Sequence, residues 1–414
     1  MHQNGHTMKE PLARVIWIAV AFARGHLMRA ALMQRVLGER GIKVDIVTTS
    51  KEGLAFLKEL GTTAELMSSG FEIQYDERQN IQHRATQLGV IRYAVDPTQG
   101  ASDIAMFRRM AKGADLIVND IHPFGLIFPK TLGGKVPMVQ LYGENMWGAL
   151  EGYPRGLFPD WFAELYARLV RGQRDGSFGR VEHALEAPLQ GAWRAKDQTW
   201  LMPPIISKPT RSRDEVRAAL GVPEGKRLVV AYTNPHFAAP ELAGAIERAV
   251  ASVGAQLYAV GEGFGEREAW HFVDPELVDK LAAADVVVSA AGMGVLGQVR
   301  AFDRPFLGIR TDQPEQQLNL EILARLEDHE APVEVVHISE DEELLAGAFT
   351  TALTELLDQE AERAKRATME RAHAGASVTQ KAWADALTAL VHRAQALGRM
   401  SWAERVALEW GRSG

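Results

Sequence analysis

Across 414 residues the chain is 46% hydrophobic and 24% charged, enough to bury a large core and unlike a disordered, collagenous or low-complexity protein. Acidic residues outnumber basic ones by 53 to 46, a formal charge of -7 that argues against a nonspecific nucleic-acid binder and toward a small-molecule enzyme. Cysteine is absent, which excludes disulfide scaffolds, thiolate metal sites, cysteine nucleophiles and redox thiol chemistry, and makes a reducing cytoplasm the expected compartment.

Residues 1–12 are polar and expected to be disordered. The apolar run 15–22 is far shorter than the roughly 20 residues that span a bilayer and lacks a signal-peptide cleavage pattern, so a soluble protein is expected. This run and those at 44–48, 116–118 and 138–141 read as parallel strands covered on both faces. Between the first two, Met28, Leu32 and Val36 recur at helical spacing before Arg40-Gly41, completing a strand-loop-helix unit. From Gly143 to Trp200 the periodicity weakens, and Trp147, Trp161, Trp193 and Trp200 stand among Arg, Gly and Pro, predicting loops and short helices rather than sheet. Pro203-Pro204 to Thr210 is stiff and marks a domain boundary. Beyond it strands are predicted at 228–232, 256–260, 286–289 and 306–309, with helical patterns between them. The chain from 361 to 414 is nearly all helical in composition, and its end, around Trp402 and Trp410, is expected to pack back on the first domain. The predicted fold is therefore α/β, two facing Rossmann-like doubly wound domains at 13–205 and 206–390, with a helical tail at 391–414.

Open α/β sheets bind ligands outside the carboxyl ends of their strands. His26 follows the first predicted strand there, and Asp120 ends the strand at 115–120, so both belong on one rim although far apart in sequence. An imidazole whose second nitrogen is held by a carboxylate can take a proton from a substrate hydroxyl, which makes His26 the candidate base and Asp120 its orienting partner. His122 is the nearby competitor, and as isolated residues His26 and Asp120 read more readily as helix caps, a balance that the second domain reverses. In the second domain Ser289-Ala-Ala-Gly292-Met293-Gly294-Val-Leu-Gly297-Gln298 gives strand, glycine turn and helix, where exposed amides and the helix dipole can meet a diphosphate. The glycines also spell G-x-G-x-x-G, and with Asp312 at the end of the next strand they leave a dinucleotide fingerprint open. Glu315, Gln316 and Asn319 then crowd a helix start, where they suit sugar hydroxyls or simply cap a solvated helix. No D-x-D, H-E-x-x-H or other metal spacing occurs, so no metal is expected.

Taken in order, Gly25-His26, Asp120, the turn from Ser289 to Gln298 and the segment Glu315-Gln316-Gln317-Leu318-Asn319 resemble the inverting GT-B nucleotide-sugar glycosyltransferases, in the style of bacterial antibiotic, glycolipid and peptidoglycan members. The resemblance spans most of the chain, is most specific from Phe272 to Asn319, and leaves 143–200 unmatched. It implies His26 as general base, Asp120 as its orienting acid, Gly292 to Gly294 on the donor diphosphate with Ser289 and Met293 beside it, Glu315, Gln316 and Asn319 on the donor sugar, and Phe272 lining the nucleobase. It also implies a nucleoside diphosphate sugar as co-substrate, no other cofactor, and an acceptor hydroxyl on a small molecule or lipid. Two positions depart from the family pattern: Ala290 replaces a basic phosphate contact, and Gln298 replaces a ribose-binding glutamate, offering a neutral and weaker partner. A nucleotide-sugar hydrolase or epimerase of the same fold, an NAD(P)-dependent oxidoreductase and a noncatalytic partner protein are the competing readings. Trp147 is the acceptor-side candidate, in a stretch that can cradle an apolar acceptor or rest on a membrane surface, with an inward-packed amphipathic helix as the simpler alternative.

Overall fold

A computed structural model describes residues 11–399 apart from 22, 68–73, 81, 83, 87, 90–91, 93–96, 123–124, 126–134, 144–159, 176, 312 and 364–368. The first sheet begins with β1 (Ala13–Ala19), β2 (Ile42–Thr48), β3 (Ala64–Leu66) and β4 (Leu116–Asp120), and continues with β5 (Met138–Gly143), β6 (Gly179–His183), β7 (Ala192–Arg194) and β8 (Thr199–Met202). Its order is β3-β2-β1-β4-β5-β6-β8-β7, and every neighbouring pair is parallel except β7 with β8. β1 shows why an unbroken apolar run makes a central strand: Val15, Trp17 and Ala19 enter one core with Leu27 and Met33, while Ile16 and Ile18 enter the opposite one with Phe107 and Met110. Burying each such aliphatic side chain stabilises the fold by about 1.5–3 kcal/mol. The helices of this lobe include α1 (Arg24–Gly38), α2 (Lys51–Glu59), α3 (Pro97–Ala111) and α4 (Asp160–Asp175). Gly41, at φ +75, makes the left-handed turn that returns the chain from α1 into β2.

The expectation of loops and short helices at 143–200 is corrected by the structure, which places β6, β7, β8 and the 16-residue α4 there. The strand β6 reads Gly-Arg-Val-Glu-His, so no apolar pattern announces it. Its buried Glu182 and His183 are tolerated because Arg194 pairs with the first at 3.0 Å and Arg29 meets the second at 3.2 Å.

The second sheet holds β9 (Leu228–Thr233), β10 (Gln256–Gly261), β11 (Trp270–His271), β12 (Val286–Ala290), β13 (Phe306–Arg310) and β14 (Val333–His337) in the order β11-β10-β9-β12-β13-β14, all parallel. Val229, Ala231, Val286 and Val288 face one core, and Leu228, Val230 and Val287 face the other. Its helices are α5 (Arg213–Ala219), α6 (Pro240–Ser252), α7 (Leu277–Ala283), α8 (Met293–Phe302), α9 (Pro314–Leu323) and α10 (Glu342–Arg363). The strand order of both sheets thus reverses beside the first strand, at β1/β4 and β9/β12, the crevice where ligands of doubly wound folds bind.

The last described helix, α11 (Met369–Arg399), ties the lobes together. Ala376 belongs to a core of the second sheet, whereas Trp383, Leu387, Leu390 and Val391 belong to a core of the first. Trp383 Nε1 also donates to the Pro203 carbonyl at 2.8 Å, fixing the linker between the sheets. The boundary expected at 390 therefore falls inside a continuous helix, and Trp402 and Trp410 lie outside the described residues.

Candidate active site

At the carboxyl edge of the first sheet, α1 follows β1 within a few residues and presents His26 and Arg29 one turn apart on the same helix face. β4 ends at Asp120, and the chain leaves it through Ile121 at φ +58. A buried β-branched residue in the left-handed region is a strained conformation, of a kind that clusters at functional sites. His26 Nδ1 lies 2.8 Å from Asp120 Oδ1. Arg29 grips the same carboxylate as a fork, Nε donating to Oδ2 at 2.9 Å and Nη2 to Oδ1 at 2.8 Å. Arg29 Nη2 is also 2.9 Å from His26 Nδ1, and Nη1 donates to His183 Nε2 across 3.2 Å. A guanidinium has donors only, so His183 accepts at Nε2. His26 Nδ1 meets both a carboxylate oxygen at 2.8 Å and Arg29 Nη2 at 2.9 Å; because Nη2 already donates to the same Oδ1, the hydrogen is assigned to Nδ1, donating to Asp120, and the approach of Nη2 to Nδ1 is a contact rather than a hydrogen bond.

All four side chains are buried, Asp120 completely. Burial by itself would raise the Asp120 carboxyl, but the charge of Arg29 and the contact with His26 outweigh it and hold the group well below the usual carboxylate range. His183 moves well below the ordinary histidine value because burial and Arg29 both disfavour its cation. His122, the competing candidate, is buried just past β4, its carbonyl accepting from Asn119 Nδ2 at 3.2 Å.

The second lobe closes over this edge. Arg24, at the start of α1, makes a two-point ion pair with Glu262 beyond β10 at 2.7 and 2.6 Å, and its guanidinium lies 4.8 Å from the Phe56 ring centre. A further clasp comes from the loop around Arg78: the amides of Ala238 and Ala239 donate to the Glu77 carbonyl, and Arg78 pairs with Glu241. Gln313 Nε2 donates to the Gln79 carbonyl at 2.8 Å.

On the second-lobe side, β12 delivers buried Ser289 to the turn at Gly292, where α8 starts without a side-chain cap. Gly292 and Gly294 are exposed, and a Cβ built on either meets nothing within 4 Å. The amides of the first turn of α8 thus open on free space, as an anion requires. Gly297 differs: a Cβ there would stand 2.5 Å from Pro204 Cβ, so this third glycine serves the close packing of α8 on the linker. Met293 is half-buried beside the turn. Gln298 is half-buried as well, and its Oε1 is buried without a hydrogen-bond partner.

At α9 the three sugar-side candidates separate. Glu315 is half-buried, and its surroundings desolvate it and push its carboxyl up to about 7. Gln316 is buried in a brace, its Oε1 accepting from Thr311 Oγ1 at 3.3 Å and its Nε2 donating to Gln313 Oε1 at 2.9 Å. Asn319 Nδ2 donates to the Ala291 carbonyl at 3.0 Å, so its side chain shapes the glycine turn from behind. Phe272 is 58% exposed and packs over Gly265. Trp147 and Asp312 lie outside the described residues. Among the described residues, no group of three His, Asp or Glu side chains is placed to hold a metal ion.

The structure therefore brings His26 and Asp120 into contact, opens the turn at Gly292 and Gly294, and leaves Glu315 half-buried, while Gln316 and Asn319 turn to protein partners. Sequence reasoning missed Arg29, His183 and the Arg24–Glu262 pair. Only Arg29 carried a signal, its three-residue spacing from His26.

No protein-family model and no curated protein sequence matches the chain. Solved structures match along nearly its whole length. The calicheamicin glycosyltransferase CalG4 aligns at TM-score 0.57 and 15% identity, covering 92% of this chain and 99% of that one. The glycosyltransferase VinC, solved with dTDP, aligns at 0.56 and 16% with the same coverage. UGT2 of Phytolacca americana, solved with UDP-2-fluoro-glucose and pterostilbene, aligns at 0.60 and 12%, covering 91% and 99%. At such identities the likeness concerns the fold: this chain has the two-domain GT-B architecture of those glycosyltransferases.

Proposed function

We propose that the protein is an inverting glycosyltransferase that moves a sugar from a nucleoside diphosphate donor to a hydroxyl of a small-molecule or lipid acceptor. The observation that carries this reading is the His26–Asp120 contact, buried at the carboxyl rim of one sheet, together with an uncapped, unobstructed glycine turn at the carboxyl rim of the other. Two neighbours of the same architecture were solved with dTDP and with a UDP-sugar analogue, which supports a nucleotide-bound sugar as the donor.

In this mechanism His26 Nδ1–H donates to Asp120, which fixes the tautomer and leaves Nε2 as the ring atom that takes the acceptor proton. The acceptor oxygen bonds to the anomeric carbon as the bond from that carbon to the diphosphate oxygen breaks on the opposite face, inverting the centre. Negative charge grows on the departing diphosphate, and the amides at the start of α8 are already oriented to receive it. Glu315 holds a donor-sugar hydroxyl, Phe272 borders the nucleobase, and Gln298 Oε1, which has no partner among the described residues, accepts from a ribose hydroxyl. Gln316 and Asn319 act behind these groups as braces.

The test is turnover, measured as nucleotide release from UDP- and dTDP-sugars with a panel of alcohol and phenol acceptors. His26→Ala should lower it by about 100-fold or more with little loss of donor affinity. Near-normal turnover in that variant removes His26 from the mechanism. A thermal shift with NAD(P) and none with nucleoside diphosphates would favour the oxidoreductase instead.

A further inference from the structure

We infer that Arg29 is a positioning residue whose charge, balanced against Asp120, permits the protonation state in which His26 can serve as a base. The inference rests on the proposed role of His26 and follows from the charges of the described residues that meet at Asp120. Arg29 contributes one positive charge and Asp120 one negative charge, and both are buried. His183 is neutral, accepting from Arg29 Nη1. With His26 neutral and its hydrogen on Nδ1, the cluster carries no net charge, and Nε2 bears no hydrogen.

Without the guanidinium the same arrangement would be a buried net anion, which is costly in a medium that solvates charge poorly. A buried carboxylate relieves that cost by acquiring a proton from the solvent, and both places for it disable the base. On the ring, the proton gives an imidazolium with hydrogens on both nitrogens. On Asp120, it makes a carboxylic acid that donates to Nδ1, and the ring hydrogen moves to Nε2. Either way Nε2 can no longer take a proton from an acceptor.

Among the described residues, the other groups around the cluster do not supply the missing charge. From α1, Arg24 is engaged by Glu262 of the second lobe. From β6, Glu182 is paired with Arg194, and burial with Arg29 beside it opposes a charge on His183. From the end of β4, His122 is buried next to Asn119. The fork also fixes the carboxylate plane: with Oδ2 held by Nε and Oδ1 by Nη2, Oδ1 is presented to His26 in one orientation.

The experiment reads the ring directly. The full-length protein is labelled with 15N-histidine, the His26 signals are assigned by their loss in His26→Ala, and spectra are recorded from pH 6 to 9 for wild type, Arg29→Met, Arg29→Gln and Arg29→Lys. At pH 7 wild type should show the neutral Nδ1–H ring and Arg29→Lys the same. Arg29→Met should show a hydrogen on Nε2 at pH 7 and return to the neutral Nδ1–H ring only at higher pH. Arg29→Gln should match it, and it keeps the test alive if the methionine variant does not fold. With UDP-glucose and dTDP-glucose as donor probes, Arg29→Met should lose about 10-fold or more of turnover at pH 7, recover toward pH 9, and cost nothing further in the His26→Ala background. An unchanged ring state in both neutral variants at pH 7 overturns the inference. Should the ring respond as expected while His26→Ala turns over normally, the base assignment fails and the charge-balancing role of Arg29 stands.

Discussion

Replacing Asp120 by Asn changes one atom in size and everything in charge. Three donors converge on the carboxylate: His26 Nδ1–H and Arg29 Nη2 on Oδ1, and Arg29 Nε on Oδ2. An amide offers one acceptor oxygen and an NH2 that must donate, so the three cannot all be satisfied, and Arg29 keeps a positive charge with no anion beside it. Breaking a buried charge pair by removing one partner costs about 3–5 kcal/mol. At roughly 2–4 °C per kcal/mol for a lobe of this size, the melting point should fall by about 6–20 °C. If the amide nitrogen takes the place of Oδ1, it donates to His26 Nδ1 and drives the ring hydrogen to Nε2. Turnover should then fall about 100-fold or more, with donor affinity nearly intact. Differential scanning fluorimetry with steady-state nucleotide release on one preparation reads both effects. A variant that melts within about 2 °C of wild type and turns over at the same rate would refute the charge accounting for this cluster.

The glycine turn supplies a contrasting pair. Gly294→Val should leave stability within about 1 kcal/mol, since nothing stands within 4 Å of its Cβ, yet abolish nucleoside diphosphate binding by filling the space before the α8 amides; calorimetric binding equal to wild type would contradict this. Gly297→Ala should do the reverse, destabilising by about 1–3 kcal/mol through the clash with Pro204 while leaving nucleotide affinity unchanged, as denaturant melts and titrations will show. Glu315 should make stability pH-dependent. Its carboxyl sits near 7 in the folded state and near 4.5 when unfolded, so its favourable contribution is complete below about 4.5 and lost as pH rises to about 7. Glu315→Gln should accordingly raise the unfolding free energy more at pH 8 than at pH 4.5, by at most about 3 kcal/mol, and an equal change at both would deny the desolvation of this group.

The central strands were legible because parallel strands covered on both faces must be apolar at consecutive positions, as in β1, β9 and β12. β3, β7 and β11 are only two or three residues long, and β6 carries Arg180, Glu182 and His183, so their place is set by pairing and ion pairs that no local pattern reveals. The site divides the same way. His26 and Asp120 follow from the rule that strand ends carry ligands, since β1 and β4 pair and bring Ala19 beside Asp120. Arg29 escaped because a charged side chain in a helix interior reads as surface until its buried partner is seen, and His183 because it closes a strand with no apolar pattern. Gln316 and Asn319 show the opposite failure, being polar residues in a plausible site whose amides the protein occupies itself.

The most direct test of the account is a crystal structure with UDP or dTDP soaked in, together with the same soak of His26→Ala. The account predicts the diphosphate on the amides that open α8 beside Gly292 and Gly294, with its terminal phosphate directed across the cleft toward His26, in both crystals alike. A nucleotide bound away from that turn, or one whose phosphates point away from the first lobe, would contradict it.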